Sequence, residues 1–204
     1  MGMFVAIVSS VSAGADVASA ASGGRTVDLD KVGVRITVPR HWVTADLTRA
    51  SVKKEIIREA TRPQSSADKA LSTYLKSVGG FLSDNLLMFA CKPQRGICGN
   101  NVNVVSLPGA PPPVGHEDEI KAGLEADGTF HNIVVTDAVV GGVPAVKVRG
   151  EAQKLRNGST VVLHGTEYFV PTKTGAVEIT FTTDDEGSVN SDVQSMLRSI
   201  RLHS

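Results

Sequence analysis

The run Ala138-Val-Val-Gly-Gly-Val-Pro-Ala-Val-Lys-Val-Arg149 decides the fold of this chain. Two β-rich stretches meet there at a Gly141-Gly142 joint, and glycine tolerates the positive φ that a two-residue hairpin turn requires. The same pattern repeats downstream. Residues 130–140, 143–155, 159–170 and 176–183 are rich in β-formers and are joined by Gly141-Gly142, Asn157-Gly158 and Lys173-Thr174-Gly175. That spacing predicts an antiparallel meander of four strands. Within it Lys147 and Arg149, and then Glu178, Thr180 and Thr182, alternate with apolar neighbours, so one face of the meander meets a core. Val189, Val193, Met196, Leu197 and Ile200 follow at helical spacing, and the stripe they form must pack on that sheet.

Working back from the meander, residues 117–127 predict a helix. Glu117, Asp118 and Glu119 sit in its first turn, where they favour the helix dipole; Ile120 and Leu124 face inward, and Gly128 stops it. Pro108-Gly-Ala-Pro-Pro-Pro113 precedes it as an extended connector, because each proline fixes φ and removes a donor. Residues 85–91 and 101–107 predict two strands around a loop carrying Cys91 and Cys98. A helix over 65–78 is capped by Ser65 or Ser66, buries Ala67, Leu71, Tyr74, Leu75 and Val78, and ends at Gly79-Gly80. A shorter surface helix over 52–60 carries Val52, Ile56, Ile57 and Ala60 on one stripe and breaks at Arg62-Pro63. Val34, Ile36 and Val38 alternate with Arg35 and Thr37 as a strand, Pro39 ends it, and Trp42 lies just past the stop.

The first twenty residues read as an export address. Met3-Phe-Val-Ala-Ile-Val8 is a short apolar core, and the small residues that follow close on Ala18-Ser19-Ala20, an A-x-A site for signal peptidase with Ala18 and Ala20 at the two small positions. No Lys or Arg occurs before Arg25, so the basic segment that usually precedes such a core would lie upstream. Residues 1–20 are expected to be a signal peptide and residues 21–204 a single exported domain, extracellular or in the cell envelope. Lys plus Arg and Asp plus Glu are equal at 21 each, which leaves no net field to attract nucleic acid or anionic lipid. No later apolar run approaches the roughly 20 residues needed to cross a bilayer. In an oxidising compartment Cys91 and Cys98 are expected to form a disulfide, since Pro93 and Gly96 favour a turn between them. On a chain-entropy view that bridge contributes roughly 2.5 kcal/mol.

Gly33-Val-Arg-Ile-Thr-Val-Pro-Arg-His-Trp42, a strand running into Pro-x-x-Trp, is followed by helices, a long antiparallel meander and a final helix ending Met196-Leu-Arg-Ser-Ile-Arg-Leu202. In this order of elements, over roughly residues 30–203, the chain resembles the PsbP-like fold, and most nearly the small exported Lpq-type envelope proteins of actinobacteria. The resemblance implies an α/β (α+β) domain: a three-layer α/β/α sandwich around a mainly antiparallel sheet. It also implies a non-enzymatic accessory, assembly or binding role, with no shared catalytic residues to carry over. The acylated cysteine of the lipoprotein members is missing from this sequence.

A direct search for chemistry finds no Gly-x-Ser-x-Gly elbow, phosphate-binding Gly-x-x-x-x-Gly-Lys loop, dinucleotide Gly-x-Gly-x-x-Gly or His-Glu-x-x-His pair. No catalytic residue, cofactor or metal ligand is therefore assigned. His116 and His203 are isolated, and His131 and His164 fall on strands that could bring them together. Asp184-Asp185-Glu186-Gly187 lacks the ligand spacing of a calcium loop and reads as a solvated turn. His41 and Trp42 are the candidate binding face, with a core-anchor role for the tryptophan as the simpler alternative. The expected function is an accessory or binding protein of the envelope that engages a protein or an envelope polymer. A carrier of a small apolar ligand or lipid, with a pocket between sheet and helices, comes second, and a hydrolase built on a His/Asp pair third.

Overall fold

The computed structural model describes residues 24–52, 54, 85–94, 97–128, 130–156, 159–183 and 191–203. Three strands open the chain: β1 (Arg25–Leu29), β2 (Val34–Val38) and β3 (Val43–Asp46). The long hairpin β4 (Leu86–Gln94) and β5 (Ile97–Leu107) leads into α1 (Glu117–Asp127). The meander β6 (His131–Val140), β7 (Val143–Arg156), β8 (Ser159–Thr172) and β9 (Gly175–Thr183) comes next, then α2 (Ser191–Ser199) and the short β10 (Arg201–Leu202).

Among the described residues every pairing is antiparallel. A seven-stranded sheet runs β3-β4-β5-β9-β8-β7-β6, and a smaller one runs β1-β2-β10. The four strands of the meander form, and at the first joint Gly141 and Gly142 stand at φ 60° and 87°, the left-handed region a two-residue hairpin turn needs; the Asn157-Gly158 joint lies outside the described residues. The helix over 117–127 also forms at the expected bounds, and Gly128 at φ 69° ends it with its N–H bonded to Glu125 O.

Because side chains alternate along a strand, the register sorts the large sheet into two faces. On one, Met88, Val104, Ile179 and Tyr168 form one cross-strand row, and Ala90, Val102 and Phe181 form the next. These rows are buried beneath β1, β2 and α2, which contribute Val27, Leu29, Val34, Ile36, Val38, Val193 and Met196 to the same core. Tyr168 and Phe181 meet edge to face, their centroids 6.2 Å apart. On the opposite face Ile120 and Leu124 of α1 cover Ile133, Val146 and Val148. The domain is thus α+β, with helices on both sides of a mainly antiparallel sheet. The alternation in β7 predicts one buried face, whereas Ala145 and Val146 are both buried, at 1% exposure each, because layers cover both sides.

Three strands escape the sequence reading. β1 and β3 are four or five residues long, and β10 is only two. They take their conformation from pairing with β2 and β4 rather than from their own pattern. The cysteine loop needs a correction as well. Backbone pairing of β4 with β5 continues through it, setting Cys91 opposite Asn101 and Cys98 opposite Pro93, with a register shift at Lys92/Pro93. Pro93 has no amide hydrogen to give and is accommodated at that irregularity. Residues 50–52 and 54 are helical, while the other positions of the 52–60 helix, the 65–78 helix, the leader and the 184–187 turn lie outside the described residues.

Gly150 and Gly165 face each other across β7 and β8, with the Phe130 ring laid over both. A Cβ on Gly150 would lie 3.1 Å from Phe130 Cβ and 3.2 Å from its ring. Gly150→Val should therefore cost about 1–3 kcal/mol through overpacking. In thermal melts the Phe130→Ala/Gly150→Val pair should lose less than the sum of the single variants, and strict additivity would refute the contact.

Candidate functional site

The apolar rows give way to polar ones toward the end of the sheet beside α2. Val134, Arg149, Thr166 and Phe181 form one row across β6, β7, β8 and β9, and Glu151, His164 and Thr183 form the next. Between these two rows and Val193 of α2 lies a cavity of about 470 Å³, to which Asn132 and the backbones of Gly150 and Gly165 also contribute. That volume lies within the usual range of small-molecule sites, roughly 300–1,000 Å³.

The polar groups divide by partner. One Glu151 oxygen accepts the Asn132 side-chain N–H at 2.7 Å, and the other faces His164 Nδ1 at 3.7 Å. Asn132 holds φ 52°, the one positive value outside glycine among the described residues, at the register shift between His131 and Val134. Asparagine tolerates that conformation better than most residues, and here it aims its amide at the carboxylate. Arg149 is exposed at the rim and has no hydrogen bond or ion pair among the described residues. Two residues along the same face, Lys147 places Nζ 5.8 Å from the Tyr168 ring centroid. Partial burial, and then repulsion from Arg149, push the Lys147 ammonium below its ordinary pKa.

The histidines on strands do not meet. β6 and β8 are separated by β7, and Glu151 stands opposite both His131 and His164. The candidate face at His41 and Trp42 has a different character. Trp42 is 5% exposed and belongs to the main core, with its backbone N–H bonded to Pro39 O in the turn that ends β2. Of the two side chains, His41 is the one that reaches solvent.

Both converge on a residue that sequence patterning did not single out. Asp192 Oδ2 receives Trp42 Nε1–H at 3.2 Å and Lys92 Nζ–H at 3.1 Å, and lies 2.9 Å from His41 Nε2. The junction ties the β2–β3 turn, β4 and the first turn of α2 to one oxygen. Nearby, Ser199 Oγ accepts the Thr37 N–H at 2.8 Å and pins the other end of α2 to β2. The His41–Asp192 pair resembles half of a hydrolytic triad, but among the described residues no hydroxyl is hydrogen-bonded to His41, and the carboxylate oxygen is shared among three nitrogens. Its geometry is that of a clamp.

Partial burial pushes the Asp192 carboxyl up, but the hydrogen bonds from His41, Trp42 and Lys92 together hold it below the ordinary 3.8. A carboxylate with a lowered folded pKa stabilises the fold fully above its ordinary value and loses that effect as pH falls through the lowered one. Asp192→Ala should thus cost about 2 kcal/mol at pH 7. In urea titrations the gap between variant and parent should narrow below pH 4. A gap that persists at pH 2 would show that the loss is not electrostatic.

Among the described residues no group of three or more His, Cys, Asp or Glu side chains could hold a metal ion. Among them, too, no helix is long and apolar enough to cross a membrane. The sequence drew attention to His164 and to the Lys147/Arg149 alternation, but it passed over Asn132, Glu151 and Thr166. The spacing of Arg149 and Glu151 puts both on one strand face, a signal that could have paired them; the strand order that adds His164 and Phe181 is a tertiary fact.

No protein-family model and no curated protein matches the chain. The solution structure of the cyanobacterial PsbP (CyanoP) of Synechocystis sp. PCC 6803 matches 93% of this chain and 98% of its own, with TM-score 0.49 and 11% identity. The crystal structure of LpqN, involved in cell envelope biogenesis of Mycobacterium tuberculosis, matches 88% and 90%, with TM-score 0.41 and 14% identity. A crystal structure from Bacteroides thetaiotaomicron VPI-5482 gives TM-score 0.46 and 9% identity over 89% of this chain, which spans only 49% of that longer one.

Proposed function

We propose that this chain is an exported, non-enzymatic binding protein of the cell envelope whose ligand seat is the cavity between the sheet and α2. The observation that carries this reading is the cavity itself: Val134 exposed on one side, Phe181 and Val193 buried beneath its floor, and a few convergent polar groups from Arg149, Glu151, His164 and Thr166. This places the weight on the ligand-carrier alternative within the broader binding role. Export is supported by the leader-like start, and cleavage after Ala20 would leave β1, which begins at Arg25, intact.

Native mass spectrometry of protein purified from its own host tests the reading. A non-covalent adduct that is released on mild activation and absent from the cavity-filling Thr166→Trp variant is the expected result; adduct-free protein, or an adduct indifferent to Thr166→Trp, would refute it. The same spectra report processing. The mature chain should begin near Ala21, with a mass two hydrogens short of the reduced form if Cys91 and Cys98 are bridged.

A further inference from the structure

The edge strand β6 is unlike the other sheet edges. β3 has four residues, β10 has two, and β1 carries Arg25 and Asp28 within five. Shortness and charge are the usual protections of an exposed edge. β6 has ten residues, six of them β-branched, with no Lys, Arg or Pro and with Asp137 as its single acid. Every second residue of an edge strand turns its N–H and C=O away from its neighbour, and among the described residues no backbone hydrogen bond ties β6 to any element but β7. The strand also carries exposed apolar side chains. Val134 is 42% exposed, and Val139, at 73%, is the most exposed large apolar residue among those described.

A row of open peptide groups is completed by another extended strand. We infer that β6 pairs antiparallel with β6 of a second copy of this chain, about a twofold axis at Thr136, so that two seven-stranded sheets become one. A twofold normal to the sheet keeps like faces continuous, so the axis falls on a residue and positions equidistant from it pair. With the axis at Thr136, Val139 lies opposite Ile133 of the partner subunit, and Val134 opposite Ala138 of the partner subunit. Ile133 belongs to the cluster beneath α1 and Ala138 packs on the main core, so each exposed valine gains an apolar neighbour at the margin of a core. Asp137, opposite Val135 of the partner subunit, is engaged by the Gly115 N–H of its own subunit at 3.4 Å. Neighbouring registers do worse. An axis at Val135 sets Ile133 against Asp137 and Val139 against His131, and an axis at Asp137 sets two carboxylates face to face. In the favoured register Asn132 and Val134, which line the cavity beside α2, face Val140 and Ala138 of the partner subunit, so each copy borders the other's cavity.

The experiment is sedimentation equilibrium of the full exported domain from about 10 µM to about 1 mM, the span that a contact below standard interface size requires. A monomer–dimer equilibrium with no larger species is expected, because a twofold contact closes on itself. Val139→Lys should weaken the dimer at least tenfold and leave the melting curve of the monomer unchanged, since the side chain it replaces is exposed. Under mild oxidation Thr136→Cys should give a covalent dimer whose peptide map joins position 136 to its own copy, whereas Val162→Cys, at an exposed position on β8, should not. A chain that stays monomeric to the top of the range would overturn the inference. So would a dimer indifferent to Val139→Lys, or species beyond the dimer that grow with concentration. A dimer that Thr136→Cys fails to trap would overturn the register. All of these outcomes leave the ligand seat untouched, because the Thr166→Trp comparison tests it separately.

Discussion

Trp42→Ala should lower the stability of the domain by about 3–5 kcal/mol, the range for truncating a buried large aromatic side chain. For a chain of this size that corresponds to a fall in melting temperature of roughly 6–20 °C. The ring is 5% exposed in a core it shares with β2, β4 and α2, so its loss leaves a cavity where three elements meet. It also withdraws one of three donors from Asp192 Oδ2. Trp42→Phe separates the two effects, since it keeps much of the apolar volume and loses the N–H. It should cost about 1–2 kcal/mol. Trp42 is the only tryptophan, which makes its emission a clean reporter. Native emission should be blue and should move to the red on unfolding. Red native emission with easy iodide quenching, together with an unchanged melting temperature in Trp42→Ala, would overturn the core placement.

Legibility in the sequence tracks the distance over which structure is specified. The meander was readable because Gly141-Gly142 and Lys173-Thr174-Gly175 fix local turns and β-rich runs separate them. α1 was readable from Glu117, Ile120, Leu124 and Gly128, all within a few turns of one another. β3 and β10 were not, because strands of two to four residues carry too little alternation and form only when a partner is present; β1 is as long as β2 but offers only Val27 and Leu29 as apolar positions, against three in β2. The candidate site failed to show for a related reason. His164 and Glu151 are thirteen residues apart and Phe181 is further still, and only the register of β7, β8 and β9 sets them on one face. Asp192 could be read only as a helix-start acid, and its grip on His41, Trp42 and Lys92 spans 100 residues or more. The cysteines illustrate the opposite error. Proline and glycine between them suggest a loop, yet the ladder between β4 and β5 is strong enough to carry pairing through Pro93.

Glu167→Gln should make the domain more stable at pH 8 and leave it nearly unchanged at pH 4.5. Glu167 lies on the face of β8 opposite the cavity, paired in register with Thr180, and Glu178 stands diagonally across on β9. Burial, and then repulsion from Glu178, push its carboxyl up to about 7. Glu178 is itself held in place by the Thr180 hydroxyl, which donates to Oε1 at 2.7 Å, so it does not swing clear. A carboxyl whose folded pKa exceeds its unfolded one near 4.5 favours the fold fully below the lower value. That advantage is lost as pH rises through 7. A shift of this size corresponds to about 3 kcal/mol between the two ends of the window. Glutamine keeps the shape, stays neutral and cannot repel Glu178. Urea denaturation of parent and variant at pH 4.5, 6 and 8 should therefore show a gap that opens with pH, with equal m-values. The Asp192 clamp loosens only below pH 4, so the two groups act in separate windows and neither masks the other. A parent–variant gap that stays constant across the series would show that Glu167 is charged throughout, and this half-buried carboxyl would then have to be solvated more fully than its surroundings provide.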